Sequence, residues 1–239
     1  MNHRSADRGD VSVRSDRDAP GGLPLDSFPP EPAVVIAALA RTLAAVHDGV
    51  HPGVDVDRLV RLDPAGALEE VSRAVDGGWA PPAGSPYGRV EPRRLLEVLS
   101  AGVDRATERS GHPVPTVGRA TFVNLTPLDP SETGAPRSGS GVDVAANITF
   151  HRRRAALSTH RFVDVADAAV SDPHRDLAVA AADVVTTFGA GAVIGFVEAY
   201  VTARPSVDQL DPILLDWWSM VAAVIAPAPA ATGPSASGS

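Results

Sequence analysis

Three Asp-Pro pairs, Asp63-Pro64, Asp172-Pro173 and Asp211-Pro212, each stand directly before an apolar stretch with helical spacing. An aspartate at a helix start accepts a hydrogen bond from one of the free N–H groups of the first turn, and a proline just inside the helix gives up an N–H that would be unpaired anyway. Pro32 and Pro92 open two further stretches of the same kind. A chain punctuated in this way is committed to a mainly helical fold.

The helices can be placed from this punctuation. From Pro32, the residues Val35, Leu39, Leu43 and Val46 recur on one face, and the pattern stops near His47 with Gly49 just beyond. The run "LDPAGALEEVSRAVDGG" predicts a helix capped by Asp63 and ended by Gly77. Pro92 to Arg109 predicts another, with Leu95, Leu99 and Val103 inward and Gly111 as the stop. "HRDLAVAAADVVTTF", "AVIGFVEAYVTA" and "DPILLDWWSMVAAVI" supply the rest. Short strands are expected at Thr121 to Leu125 and at His160 to Val165, so the fold class is mainly α with a small β element, α+β. Residues 1–21 read as a disordered polar tail, 22–226 as one domain with a flexible loop at 130–146, and 227–239 as a second tail.

Composition excludes several classes of function. The net charge of -8 argues against binding a nucleic-acid backbone. Without cysteine there is no disulfide framework, thiolate nucleophile or cysteine-ligated metal, which fits a cytoplasmic protein. The first 20 residues lack the apolar core of a secretory signal, and Leu177 to Val201 carries Asp183, Glu198 and three glycines, so it predicts two packed helices and no membrane span. All 21 basic residues are arginine. Nucleotide sites that hold phosphate with a lysine ammonium therefore have no such residue here.

Two runs carry a resemblance. "RFVDVADAAVSDPHRDLA", Arg161 to Ala178, resembles the end of the active site in aminoglycoside phosphotransferases and related small-molecule kinases. Asp164 falls on that family's metal-binding Asp, and Asp172 and Asp176 on the two motif aspartates that follow. Upstream, "VGRATFVN" has the frame of the family's catalytic loop, with Gly118 on its glycine, Arg119 on its catalytic Asp and Asn124 on its second metal ligand. The resemblance covers about Gly22 to Val224 and implies a protein-kinase-like large lobe, with Asn124 and Asp164 holding magnesium and ATP if the site is retained. No small lobe is evident before the hinge-like run at Gly22, which would leave the nucleotide site without its roof.

Arg119 is a second departure. A guanidinium stays protonated and cannot accept the proton of an attacking hydroxyl, help that is typically worth about 10²–10⁴ in rate. Arg119 could instead grip a phosphate or carboxylate bidentately, or pair with Asp164. Asn124 in a backbone-satisfying turn and Asp164 capping a loop are the corresponding structural readings. Three functions follow as expectations: a pseudokinase serving as a binding or regulatory module, an active phosphotransferase completed by a small lobe from elsewhere, or a ligand-free structural or oligomeric helical protein. The surface that a small lobe covers in such kinases would then meet a protein partner or a second copy, with neither nucleic acid nor membrane involved.

Other motifs are set aside. "HRDL" at His174 lacks the Asn that a protein-kinase loop needs, Ala181 standing there, and reads as a helix start where Asp176 favours the dipole. "GAGAVIG" follows a helix and is a helix-helix turn, and "RSGSGVD" lacks a nucleophile-elbow frame. His47 and His51 are separated by Gly49, which argues against a shared zinc, and all seven histidines read as structural or solvated. Trp79, Trp217 and Trp218 read as core, but adjacent residues leave a helix about 100° apart, so one of Trp217 and Trp218 is expected to face outward, onto a partner surface.

Overall fold

The computed structural model describes residues 31–50, 55–82, 86–127, 160–205 and 210–225. The N-terminal tail and lead-in, His51, the 130–146 loop with "RSGSGVD" and the C-terminal tail lie outside them. Six α-helices run in the described residues: α1 Pro32–His47, α2 Pro64–Asp76, α3 Pro92–Arg109, α4 His174–Phe188, α5 Ala192–Ala203 and α6 Pro212–Ile225. The architecture is mainly α with a small β component, the class expected from the proline punctuation.

The caps work in three different ways. Asp63 accepts from Gly66 N at 2.8 Å, as the capping argument requires. Asp211 accepts from Ile213 N at 2.8 Å and reaches Arg109 Nε at 2.6 Å. Asp172 stands one residue further out than expected, because Pro173 already has helical φ and ψ. Its Oδ1 takes both the His174 N–H and the His174 ring. The other ring nitrogen of His174 accepts from Asp211 N, so Nδ1 carries the proton and the side chain ties the starts of α4 and α6 together.

The strands depart from expectation. Thr121 to Leu125 is not a strand: Phe122–Asn124 form a 3₁₀ turn, and β3 follows at Leu125–Pro127. It pairs antiparallel with β4, His160–Phe162, which is shorter than expected. Three further strands of three residues were not legible: β1 Val60–Leu62, β2 Val114–Thr116 and β5 Ala169–Ser171, in the order β1-β5-β2. β1 runs parallel to β5 and β2 antiparallel to it. Three residues are too few to display a period of two, so pairing partners distant in sequence decide them.

Two apolar clusters hold the helices. α1, α4 and α5 enclose Leu39, Leu43, Leu177, Val184, Phe196 and Tyr200. α2, α3 and α6 enclose Val71, Leu95, Leu99, Leu214 and Val221, with Val103 only half-buried at the margin. The tryptophan expectation fails here. Trp217 and Trp218 are both buried, at 4% and 0% exposure, with rings edge to face 5.0 Å apart. α6 packs on α2 and α3 and also on α4, so two sides of this helix are covered and each ring finds a core of its own. Trp217 Nε1 donates to Leu99 O at 3.2 Å. No described helix is long and apolar enough to cross a membrane.

Candidate functional site

β2 ends at Thr116 and the chain turns through Val117, Gly118 and Arg119 over the start of α4. Asp176 makes this turn possible. Its carboxylate is wholly buried and accepts from Val117 N and Gly118 N, each at 2.8 Å, so two backbone donors of a buried loop are satisfied by one side chain. The expected role of Asp176, facing the helix dipole, is thus the lesser one. Seven residues on, and so on the same face of α4, Asp183 accepts from Phe122 N at 2.6 Å, and burial pushes its carboxyl up. The loop is pinned at both ends by one helix.

Asp176 also begins a buried polar chain. His47 Nε2 lies 3.3 Å from Asp176 Oδ2, and His47 Nδ1 lies 2.7 Å from the Tyr200 hydroxyl, which accepts from Arg204 at 3.3 Å. Arg204 in turn donates to Asp48 at 3.1 Å. Burial lowers the His47 pKa, against the opposing pull of Asp176, and pushes the Tyr200 phenol up to about 12. A neutral His47 that donates from Nε2 to the carboxylate and accepts at Nδ1 from the tyrosine satisfies every member.

Arg175 secures the other side of the loop. Only 8% exposed, it donates from Nη1 to Thr116 Oγ1 at 2.9 Å and from Nη2 to Asp167 O at 3.0 Å. Gly118 fits between these groups with φ of 77°, a conformation that costs glycine little. Asp167 then meets Arg119. Arg119 Nε donates to Asp167 Oδ2 at 2.6 Å, and Arg119 Nη1 lies 3.5 Å from Asp164 Oδ2. The hydrogen bond and charge of Asp167 hold the guanidinium pKa above its already high value.

Asn124 and Asp164 are brought onto neighbouring segments by the bond from Val163 N to Asn124 O, 2.9 Å. Asn124 Nδ2 donates to Arg119 O at 3.0 Å, and Asp164 Oδ1 accepts from Ala166 N at 3.2 Å. Each therefore has the backbone partner that the structural reading gave it. A magnesium ion needs several oxygen donors at about 2.0–2.1 Å. This donor set does not fit one, because the Asp164 carboxylate faces the Arg119 guanidinium at 3.5 Å, where a second cation would be repelled. No three histidine or acidic side chains converge among the described residues.

Sequence reasoning missed Asp167, Asp183, Arg175 and the His47–Tyr200 pair. Only Asp183 left a local signal, its spacing of seven from Asp176. Arg175 lies inside "HRDL", whose reading as a helix start gives it no partner.

The chain presents a large helical lobe with a loop held by the aspartate near the start of α4 and a second aspartate-bearing segment beside it. Among solved structures it is similar to aminoglycoside phosphotransferase APH(3'')-Id from Streptomyces rimosus, seen with ADP and streptomycin, at a TM-score of 0.60 and 15% identity, covering 85% of this chain and 67% of that one. It is also similar to an aminoglycoside-3'-phosphotransferase of type VIII, at a TM-score of 0.56 and 16% identity, covering 85% of this chain and 66% of that one. This chain thus spans about two thirds of the length of these phosphotransferases, and the fold is aminoglycoside-phosphotransferase-like. No protein-family model and no curated protein matches the sequence.

Proposed function

We propose that this chain is a binding or regulatory module on the aminoglycoside-phosphotransferase-like fold, with phosphate transfer lost. The observation that carries the reading is the ion pair of Arg119 with Asp167 and Asp164. Arg119 stands where the resemblance puts the proton-accepting carboxylate, and a paired guanidinium is still less able to take a proton than a free one. It also sets a positive charge against Asp164, where the resemblance puts a metal. Without lysine, this chain has no ammonium to hold a nucleotide phosphate.

The test compares the protein with Arg119→Asp. The wild type is expected to transfer no phosphate from ATP to aminoglycosides and to melt at the same temperature with and without magnesium. Arg119→Asp gathers three carboxylates in place of a paired set, so it is expected to lose about 1 kcal/mol without metal and to regain it with magnesium. Phosphate transfer by the wild type above background would sink the proposal.

A further inference from the structure

A cavity of about 440 Å³ opens on the far side of Gly118 and Asp167, between β1, α2 and α6. Its volume lies within the range of small-molecule sites. One wall is apolar, formed by the half-buried Ala222 and Ile225, with the buried Val221 and Trp218 at its back. The other carries charge of both signs: Arg61 on β1, and Glu69, Glu70 and Arg73 on α2.

The charged groups at the inner end are already engaged. Arg175 is bonded to Thr116 and the Asp167 carbonyl, and the Asp167 carboxylate is held by Arg119. Arg61, Glu69, Glu70 and Arg73 make no ion pair with any described residue. Glu69 and Arg73 stand one helical turn apart, where such pairs ordinarily gain a few tenths of a kcal/mol, yet they do not meet. Two cations and two anions along one wall, facing an apolar wall, are complementary to a molecule that carries both charges beside an apolar body. A purely cationic or purely anionic ligand would satisfy one pair and be repelled by the other.

We infer that this cavity binds a small zwitterion of the amino-acid type, its carboxylate on Arg61 and Arg73, its ammonium on Glu69 and Glu70, and its apolar side against Ala222 and Ile225. The inference gives the binding-module reading its ligand class and rests on that reading.

Trp218 supplies the readout, because its indole N–H has no hydrogen-bond partner among the described residues and its ring borders the cavity. The ¹⁵N-labelled full chain is titrated with L-phenylalanine, and separately with phenethylamine and 3-phenylpropionate, all at millimolar concentration without nucleotide or metal. The indole signal of Trp218 is assigned with Trp218→Phe. L-phenylalanine is expected to move that signal and to bind about tenfold more tightly than either singly charged analogue. Arg61→Ala combined with Arg73→Ala should weaken L-phenylalanine about tenfold and leave phenethylamine unweakened, and Glu69→Ala with Glu70→Ala should weaken L-phenylalanine likewise and leave 3-phenylpropionate unweakened. Equal affinity for the three compounds, an unmoved Trp218 signal, or double variants that respond alike would overturn the inference. Phosphate transfer in the separate assay would instead sink the module reading and leave a positive titration standing.

Discussion

Gly118→Ala is expected to lower the unfolding free energy by about 2–4 kcal/mol, read as a fall in the urea midpoint at unchanged slope. Two terms contribute. A side chain at φ of 77° costs about 1–2 kcal/mol for any L-residue. In addition, a methyl group there would sit 2.8 Å from both Asp167 Cβ and Asp167 O and 2.9 Å from Arg175 Nη2. Two of these three atoms are backbone or next to it and cannot swing aside, and the third is held by the bonds of Arg175 to Thr116 and Asp167. Gly49→Ala isolates the first term, since its φ is 73° with nothing within 4 Å of an added methyl. If the two variants lose equal stability, the close approach of the 164–168 segment to the loop is wrong.

Asp176→Asn is expected to cost about 3–5 kcal/mol, the penalty of breaking a buried charged network on one side. The carboxylate accepts three hydrogen bonds, from Val117, Gly118 and His47. An asparagine has one acceptor oxygen, and its amide would turn N–H groups toward a donor. The same network sets a pH dependence. The folded pKa of His47 lies below the ordinary 6.5 that it has when unfolded. Between these values the unfolded chain binds a proton that the folded one refuses, so stability is full above about pH 6.5 and declines as the pH falls below it. His47→Gln should flatten that decline. Asp176→Asn should extend it to lower pH, because the carboxylate is what opposes burial at His47. Urea unfolding across this pH range checks both; an unchanged slope in His47→Gln would place the titration elsewhere.

Asp176 also illustrates how far the sequence could be read. Its position in a motif, eight residues before Val184 on an amphipathic helix start, was legible, but its partners were 58 and more residues away. The helices themselves were determined locally: apolar residues three and four apart, an aspartate that can accept a first-turn N–H, and a proline whose missing donor costs nothing at that place act within a single turn of chain. Pro32, Pro64, Pro92 and Pro212 each begin a helix as that reasoning requires.

Tertiary structure decided the rest. Strands of three residues exist through pairing with distant chain, as Val60 to Leu62 does with Ala169 to Ser171. The burial of Trp217 together with Trp218 follows from helices on two sides of α6, which no periodicity within α6 can announce. Arg119 was recognisable as the wrong residue for a proton acceptor from its chemistry alone. That it is held by Asp167 as well as Asp164 depends on a loop and a strand end meeting across 48 residues, because charge pairing acts through space and leaves no period in the sequence.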